Sequence, residues 1–511
     1  MKLIKRVIFS HTFMVVVAIM AQFVFVLNML IFFKDYSSIF YGASLMLSAA
    51  IVLWIVYSDK NPAYKIAWII PILILPIFGG LFYLAFGGNP LSRKEKARIK
   101  QVEMDTKSHL DSNDDVIKEM KADDKDAGNQ STYIQNYALF PPYKNVFSEY
   151  YPLGEDNFAR LIEVLRGAKK FIFMEYFIVQ EGKMWNTILS ILEEKAREGV
   201  DVRFIYDDMG CMLTLPKGYD QLLEKKGIRC AVFNPLVPIL SAKFNTRDHR
   251  KITVVDGEFG FTGGINLADE YINEIDRFGH WKDMGILIKG EAVWNFTVMF
   301  LSLWDSIKGQ KSDFESFKAS PEVFDEIVEE GYVQPFSDTP LDNEPAGQVV
   351  YLNIINKAKD YVYITTPYLI IDSEMITALC SAAKSGVDVR IVTPYHADKK
   401  YVHETTRSFY PKLLQSGVRI YEYFPGFMHG KTFVSDDKYA VVGTINLDYR
   451  SLFLHFECGL WMYKTKTVLD VKKDFMKTLE VSKAIDRDYH KDIGIFRTLL
   501  SLVLRLFAPL M

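Results

Sequence analysis

Apolar positions are spread unevenly along this chain. Three runs without a formal charge occupy its first 90 residues: Val7 to Phe33, Tyr36 to Tyr57 and Ile66 to Gly88. They hold 27, 22 and 23 residues, with His11 counted as neutral. A helix needs about 20 apolar residues to cross a bilayer, and none of the runs has the polar face of a buried soluble helix. The pattern therefore predicts three membrane-spanning helices. The first run is too long for a signal peptide and ends in bulky residues before Lys34. Basic clusters flank both ends of the region, Lys2, Lys5 and Arg6 before it and Arg93 to Lys100 after it. Three full spans put the two ends on opposite sides, so either one run is re-entrant or interfacial or the N-terminus faces out against its charge; the larger cluster places the rest of the chain on the cytoplasmic side of the membrane.

Residues 91–132 reverse the pattern, with dense Lys, Asp and Glu and little apolar periodicity, and predict a charged helix or linker. From Tyr133 onward short apolar, β-rich runs alternate with segments of helical spacing. FIFMEYFIV, MWNTILSILEEKAREG and DVRFIYD read as strand, helix and strand, and YVYITTPYLI, SEMITALCSAAKSG and DVRIVTP read the same way. Such alternation predicts an α/β fold with a mixed or parallel sheet in each half, 133–335 and 336–511.

The two halves repeat more than their elements. HRKITVVD (His249 to Asp256) returns as HGKTFVSD (His429 to Asp436), and GGIN (Gly263 to Asn266) as GTIN (Gly443 to Asn446), both at an offset of 180 residues. GVDVR recurs at an offset of 187, and GIRCAVFNP is echoed by GVRIYEYFP at 190. A constant offset across the His/Asn block and drift elsewhere is how two copies of one fold behave when loops accept insertions. One His-x-Lys is commonplace. Two copies with the same Asp and Gly-x-Ile-Asn spacing are not.

The repeated residue types point to phosphodiester chemistry. Alternation along a strand puts His249 with Lys251, and His429 with Lys431, on one face. Two halves facing one another give a pocket of two imidazoles, two ammonium groups and the amides of Asn266 and Asn446. The lysines and amides can stabilise phosphate charge. One His can attack phosphorus while the other protonates the leaving alkoxide. No metal or other cofactor is needed, because the lysines supply the positive charge. Asp256 and Asp436 are expected to hold their strands rather than touch substrate.

Composition narrows the partners. The 511 residues carry 60 Lys and Arg against 63 Asp and Glu, a net charge of −3, which argues against nucleic acid as the substrate. The four cysteines are far apart, which excludes a Cys-rich zinc module and a disulfide scaffold.

This constellation resembles the phospholipase D superfamily with its twin HKD motifs, and within it the bacterial cardiolipin synthases. NPAYKIAWIIPILILPIFGGLFYLAFGGNP resembles their second span and its lead-in, NTRDHRKITVVDGEFGFTGGINLADEY their first motif, and GTINLDYRSLFLHFECGLWMY their second. The resemblance runs from about residue 37 to the C-terminus. It implies two phospholipase D-like α-β-α repeats packed as a pseudo-dimer behind N-terminal transmembrane helices. It also implies His249 and His429 as the catalytic pair, with Lys251, Lys431, Asn266 and Asn446 on phosphate. An acidic residue after each Gly-x-x-Asn turn orients a histidine in this superfamily, and Glu270 and Glu457 stand at that position. By the same analogy His249 is the nucleophile. The implied reaction moves a phosphatidyl group from one phosphatidylglycerol to another and releases glycerol, in the bacterial plasma membrane. Three departures stand out. The Val7–Phe33 run is extra, HGK replaces the commoner HAK, and His455 stands where the family often has Asn. The closing segment GIFRTLLSLVLRLFAPLM is expected to be an interfacial amphipathic helix. Two other readings share these residues: a hydrolase of phospholipid or nucleic acid, and an inert membrane scaffold, which two intact copies argue against.

Overall fold

The computed structural model describes residues 37–58, 61–75, 79–80, 83–87, 102, 104–235, 246–342, 344–487 and 494–510, together with Met20, Val24 and Asn28. These fall into two compact units. Residues up to 87 and from 503 onward form one, and the residues between them form the other.

In the first unit, α1 (Ser37–Tyr57) and α2 (Pro62–Ile74) pack together. Pro62 suits the first turn of α2, and the Asn61 side chain accepts a hydrogen bond from the Ala63 amide at 3.0 Å. Ile51, Ile55, Trp68, Ile72 and Tyr83 form a small core with Leu510 against it. Other bulky side chains of α1, among them Ile39, Met46, Leu53 and Trp54, are exposed. Three spanning helices were expected, and the described residues do not supply them. The Val7–Phe33 run lies outside them apart from three residues. The Ile66–Gly88 run is not one helix, since α2 stops at Ile74 and Tyr83–Gly87 forms a separate turn. Among the described residues no helix is long and apolar enough to cross a membrane.

The second unit contains both repeats. The first sheet holds β1 (Phe147–Tyr151), β2 (Phe171–Tyr176), β3 (Asp201–Asp207), β4 (Arg229–Phe233), β5 (Ile252–Val255), β6 (Phe259–Gly263) and β7 (Gly285–Lys289), in the order β1-β7-β6-β5-β2-β3-β4. Seven strands of the second, β8 (Tyr332–Asp338), β9 (Tyr361–Thr365), β10 (Asp388–Pro394), β11 (Arg419–Tyr423), β12 (Thr432–Ser435), β13 (Tyr439–Gly443) and β14 (His455–Tyr463), run in the order β8-β14-β13-β12-β9-β10-β11, with short antiparallel strands Tyr143–Lys144 and Ser482–Ala484 added at its two edges. The two sets of seven match strand for strand. In each set the last three strands are parallel and the rest antiparallel. Every residue of β2 is buried, as its unbroken FIFMEY run requires of a strand covered on both faces.

Among the helices that flank the sheets are α3 (Lys183–Arg197), α4 (Val293–Lys308), α5 (Ser373–Lys384) and α6 (Lys466–Glu480). α3 makes the parallel crossover from β2 to β3 and α5 the one from β9 to β10. α4 is buried from Val293 to Asp305 because it packs on the first sheet and on β8 of the second. α6 does the converse, packing on its own sheet and on β1. The repeats therefore share a core.

Two boundaries differ from the sequence expectation. The division at 335/336 would cut β8, a strand of the second sheet. The charged stretch expected as a linker at 91–132 is largely folded onto the repeats. Its helices Asp114–Asp123 and Lys125–Tyr133 bury Val116, Ile117 and Met120, and Tyr463 Oη donates to Asp123 at 2.7 Å.

Candidate active site

The two HKD motifs begin where each repeat reaches into the other. Arg247–Asp248 pairs in parallel with His455–Phe456 of the second repeat, and Gly426–Met428 with His280–Lys282 of the first. These short exchanges carry the imidazole of each motif to an acid of the opposite repeat. His249 Nδ1 lies 2.9 and 3.0 Å from the two carboxylate oxygens of Glu457. His429 Nδ1 lies 2.6 Å from Asp283 Oδ2. A carboxylate on Nδ1 fixes the tautomer and leaves Nε2 for chemistry.

The expected role of Glu457 matches this geometry, and that of Glu270 does not. The Glu270 carboxylate is taken by Arg277 at 2.5 Å. Asp283 holds the place instead, for a reason visible in register. Gly263 pairs with Gly285 and Gly443 with Gly459, so Asp283 and Glu457 are equivalent, each two residues ahead of its glycine. The signal was in the sequence, in DMGILIK against ECGLWMY, but at an offset of 174 rather than 180.

The Gly-[Gly/Thr] difference between the repeats has a local cause. A Cβ on Gly264 would stand 2.0 Å from Asp283 Oδ1. At the equivalent Thr444 there is room, and its hydroxyl donates to Glu457. The glycine of HGK is explained as well, since a Cβ on Gly430 would stand 1.5 Å from Met284 Sδ.

Lys251 and Lys431 are buried beside the imidazoles. Each ammonium donates to the carbonyl of its own histidine, and Lys431 Nζ also lies 2.9 and 3.2 Å from the ring nitrogens of His429. Burial lowers Lys251 to about 8 and Lys431 to about 7. Burial and then Lys431 lower His429 to about 4. His249 is held well below the ordinary imidazole range by burial, Lys251, His455, Lys431 and His429, so the charges of both motifs reach it. The acids differ. Burial lifts Glu457 to about 8, despite Lys251 and Thr444. For Asp283 the same burial is outweighed by His429 and Lys431, which keep it below the usual carboxylate range.

Asn266 donates to Tyr271 Oη at 2.8 Å and accepts from the Ile178 amide at 3.0 Å. Asn446 is buried and turns toward Asp448. Asp256 and Asp436 sit away from the imidazoles at left-handed turns with φ of 56° and 54°. Asp256 accepts the amides of Lys169, Lys170 and Phe171, and Asp436 those of Lys359, Asp360 and Tyr361. They anchor the strand after each motif to the start of β2 and β9, and are positioning residues.

His249, His455 and Glu457 bring three potential ligand atoms within 4.8 Å of one another, a set that could hold a transition-metal ion. Its His249 and Glu457 atoms are already hydrogen-bonded, and Lys251 and Arg250 put positive charge nearby, which opposes a resident cation. Arg250 is itself clamped between Glu175 at 2.7 Å and Asp248 at 3.2 Å, a buried charge cluster that sequence reasoning did not single out.

Two interlocked α/β repeats, each with a buried His-x-Lys pair, define a phospholipase D-like protein. The family described as cardiolipin synthase, PLD-like domain, matches residues 161–304 and 351–479, and a phospholipase D-nuclease N-terminal family matches 46–88. The chain belongs to the cardiolipin synthase family. It is 46% identical to an uncharacterized protein of Streptococcus mutans, over 90% of this chain and 99% of that one. It is 33% identical to a cardiolipin synthase of Halalkalibacterium halodurans, over 89% of this chain and 90% of that one. The phosphatidylserine synthase of Haemophilus influenzae shares the fold at 14% identity, with a TM-score of 0.56 over 75% of this chain and 97% of that one.

Proposed function

We propose that this protein makes cardiolipin, transferring a phosphatidyl group from one phosphatidylglycerol to a second and releasing glycerol. The observation that carries the mechanism is the exchange of acids: each imidazole is held by the opposite repeat, so the two form a single apparatus. One neutral imidazole Nε2 attacks phosphorus. The P–O bond to glycerol breaks, and the other imidazole, as its cation, protonates the departing alkoxide. That imidazole then takes the proton from the acceptor hydroxyl, whose oxygen attacks phosphorus as the P–N bond of the phosphohistidine breaks. Lys251 and Lys431 stabilise the charge on the non-bridging oxygens throughout. His249 is the nucleophile in this reading, by its likeness to other twin-motif proteins.

Membrane attachment through the first 90 residues belongs to the same reading, with the second unit on the cytoplasmic side. Its support is the uncharged length of α1, the bulky side chains it exposes, and the lipid nature of both substrates. The test is the purified full chain with phosphatidylglycerol alone, followed by mass spectrometry of lipids and released glycerol. Cardiolipin and glycerol in equal amounts are expected. Phosphatidic acid and glycerol without cardiolipin would point to water as the acceptor.

A further inference from the structure

The two halves of the pocket are not alike in charge. Two residues ahead of the equivalent acids Asp283 and Glu457 stand Trp281 and His455. Trp281 packs 5.3 Å from the His429 ring, and His455 lies 5.6 Å from the His249 ring, between centroids. Four residues after each Asn stand Glu270 in one repeat and Arg450 in the other. The His429 half thus carries an indole and an acid already paired with Arg277. The His249 half carries an imidazole and a guanidinium.

We propose that Arg450, with Arg247 and His455 beside it, forms an anion subsite that holds the phosphodiester of the second, acceptor lipid. The proposal rests on the transfer reading above. Arg450 is fixed by its backbone, whose amide donates to Asp448 Oδ1 at 2.8 Å. Its guanidinium makes no hydrogen bond, ion pair or ring contact with the described residues. Asp448 and Arg247 are its charged neighbours. Arg247 pairs opposite His455 in the strand exchange and is itself held by Asp207 at 3.6 Å. Both ring nitrogens of His455 are buried without a hydrogen-bond partner, and burial, then the charges of Arg450, Lys251 and Arg247, hold the ring well below the ordinary imidazole range.

An unpaired guanidinium matches a phosphodiester, because its fork of donors meets two phosphate oxygens at once. His455 adds a donor. The product requires such a place. Cardiolipin joins two phosphodiesters through one glycerol, so the acceptor's phosphate must sit one glycerol away from the reacting phosphorus. In the transfer reading the first phosphate takes Lys251 and Lys431. A cationic amine headgroup is disfavoured there by Arg450, Arg247 and Lys251.

The experiment compares full-length wild type, Arg450→Gln and Arg450→Lys in mixed micelles of phosphatidylglycerol, with melting temperature as a folding control. Two reactions are read: formation of cardiolipin, and exchange of radiolabelled glycerol into phosphatidylglycerol, whose acceptor has no phosphate. Loss of a charge-assisted hydrogen bond is worth roughly 10- to 100-fold. Arg450→Gln is expected to raise KM for the lipid acceptor and to lower the ratio of cardiolipin to exchange by about that factor, with Arg450→Lys recovering part of it. Inorganic phosphate, added as a free competitor, should inhibit cardiolipin formation in the wild type more than in Arg450→Gln. An unchanged ratio, or equal inhibition by phosphate, overturns the subsite while cardiolipin synthesis stands. A wild type that exchanges glycerol but forms no cardiolipin overturns the transfer reading and the subsite with it.

Discussion

Asp283 and His429 belong to different repeats, yet Asp283 Oδ2 lies 2.6 Å from His429 Nδ1. Glu457 reaches back to His249 in the same way. Neither repeat therefore contains a complete histidine–carboxylate pair, and each pair is assembled across the two repeats.

Asp283→Asn is the direct check on that exchange. It keeps the shape and removes the charge that fixes the His429 tautomer, so kcat should fall about 10²-fold or more, as when a triad Asp is neutralised. Glu270→Gln disturbs only the contact with Arg277 and should leave kcat within a few-fold. Steady-state cardiolipin synthesis by the two variants decides it, and the reverse ranking would restore Glu270 as the orienting acid.

Removing either histidine should stop turnover. General acid–base help alone is worth about 10² to 10⁴, and loss of a nucleophile costs at least as much. Because the pair acts as a unit, the His249→Ala, His429→Ala double variant should be hardly worse than either single one. Acid-quenched incubation with radiolabelled phosphatidylglycerol separates the roles. Label should persist on His429→Ala and be absent from His249→Ala.

The lysines set the alkaline limit. Both must be cationic to hold phosphate, and their values are lowered to about 7 and about 8, so each loses its charge as pH rises through that window. kcat/KM, which reports the free enzyme, should fall there. His249, the nucleophile, is held well below the ordinary imidazole range and stays neutral until far into acid, so the acid limb should lie below that range. Lys431→Arg keeps its charge and should move the alkaline limb upward. A limb that stays in place would assign it to another group.

Gly430 and Met284 should be coupled. Gly430→Ala puts a methyl where Met284 Sδ now lies, and such overpacking costs about 1–3 kcal/mol. Met284→Ala in the same chain opens the space, so a double-mutant cycle on unfolding midpoints should show the Gly430→Ala penalty largely removed. Additive penalties would mean that Met284 is not the obstacle.

Metal should inhibit rather than support turnover. With lysines neutralising the phosphate, EDTA should leave activity intact. Added Zn²⁺ should reduce it by occupying His249, His455 and Glu457, and His455→Asn should weaken that inhibition. Loss of activity in EDTA, restored by one divalent ion, would contradict the lysine-based mechanism.

The sequence by itself determined the repeat, the β-α-β order of each half and the pairing of each His with a Lys two residues on. Periodicity and the 180-residue offset are properties of the chain alone. It also anticipated Asp256 and Asp436 as anchors, because an acid closing a strand at constant spacing has a local task. The tertiary structure decided which acid serves which imidazole. Asp283 is 146 residues from His429, and Glu457 is 208 from His249. Only the parallel pairing of Arg247–Asp248 with His455–Phe456, and of Gly426–Met428 with His280–Lys282, brings them together. The charged stretch before the repeats shows the same division. Its composition reads as a solvated linker, but three apolar side chains on one helical face, Val116, Ile117 and Met120, find a surface to cover once the repeats have folded. A contact across a shared core depends on two sheets closing on each other, and no window of sequence contains both.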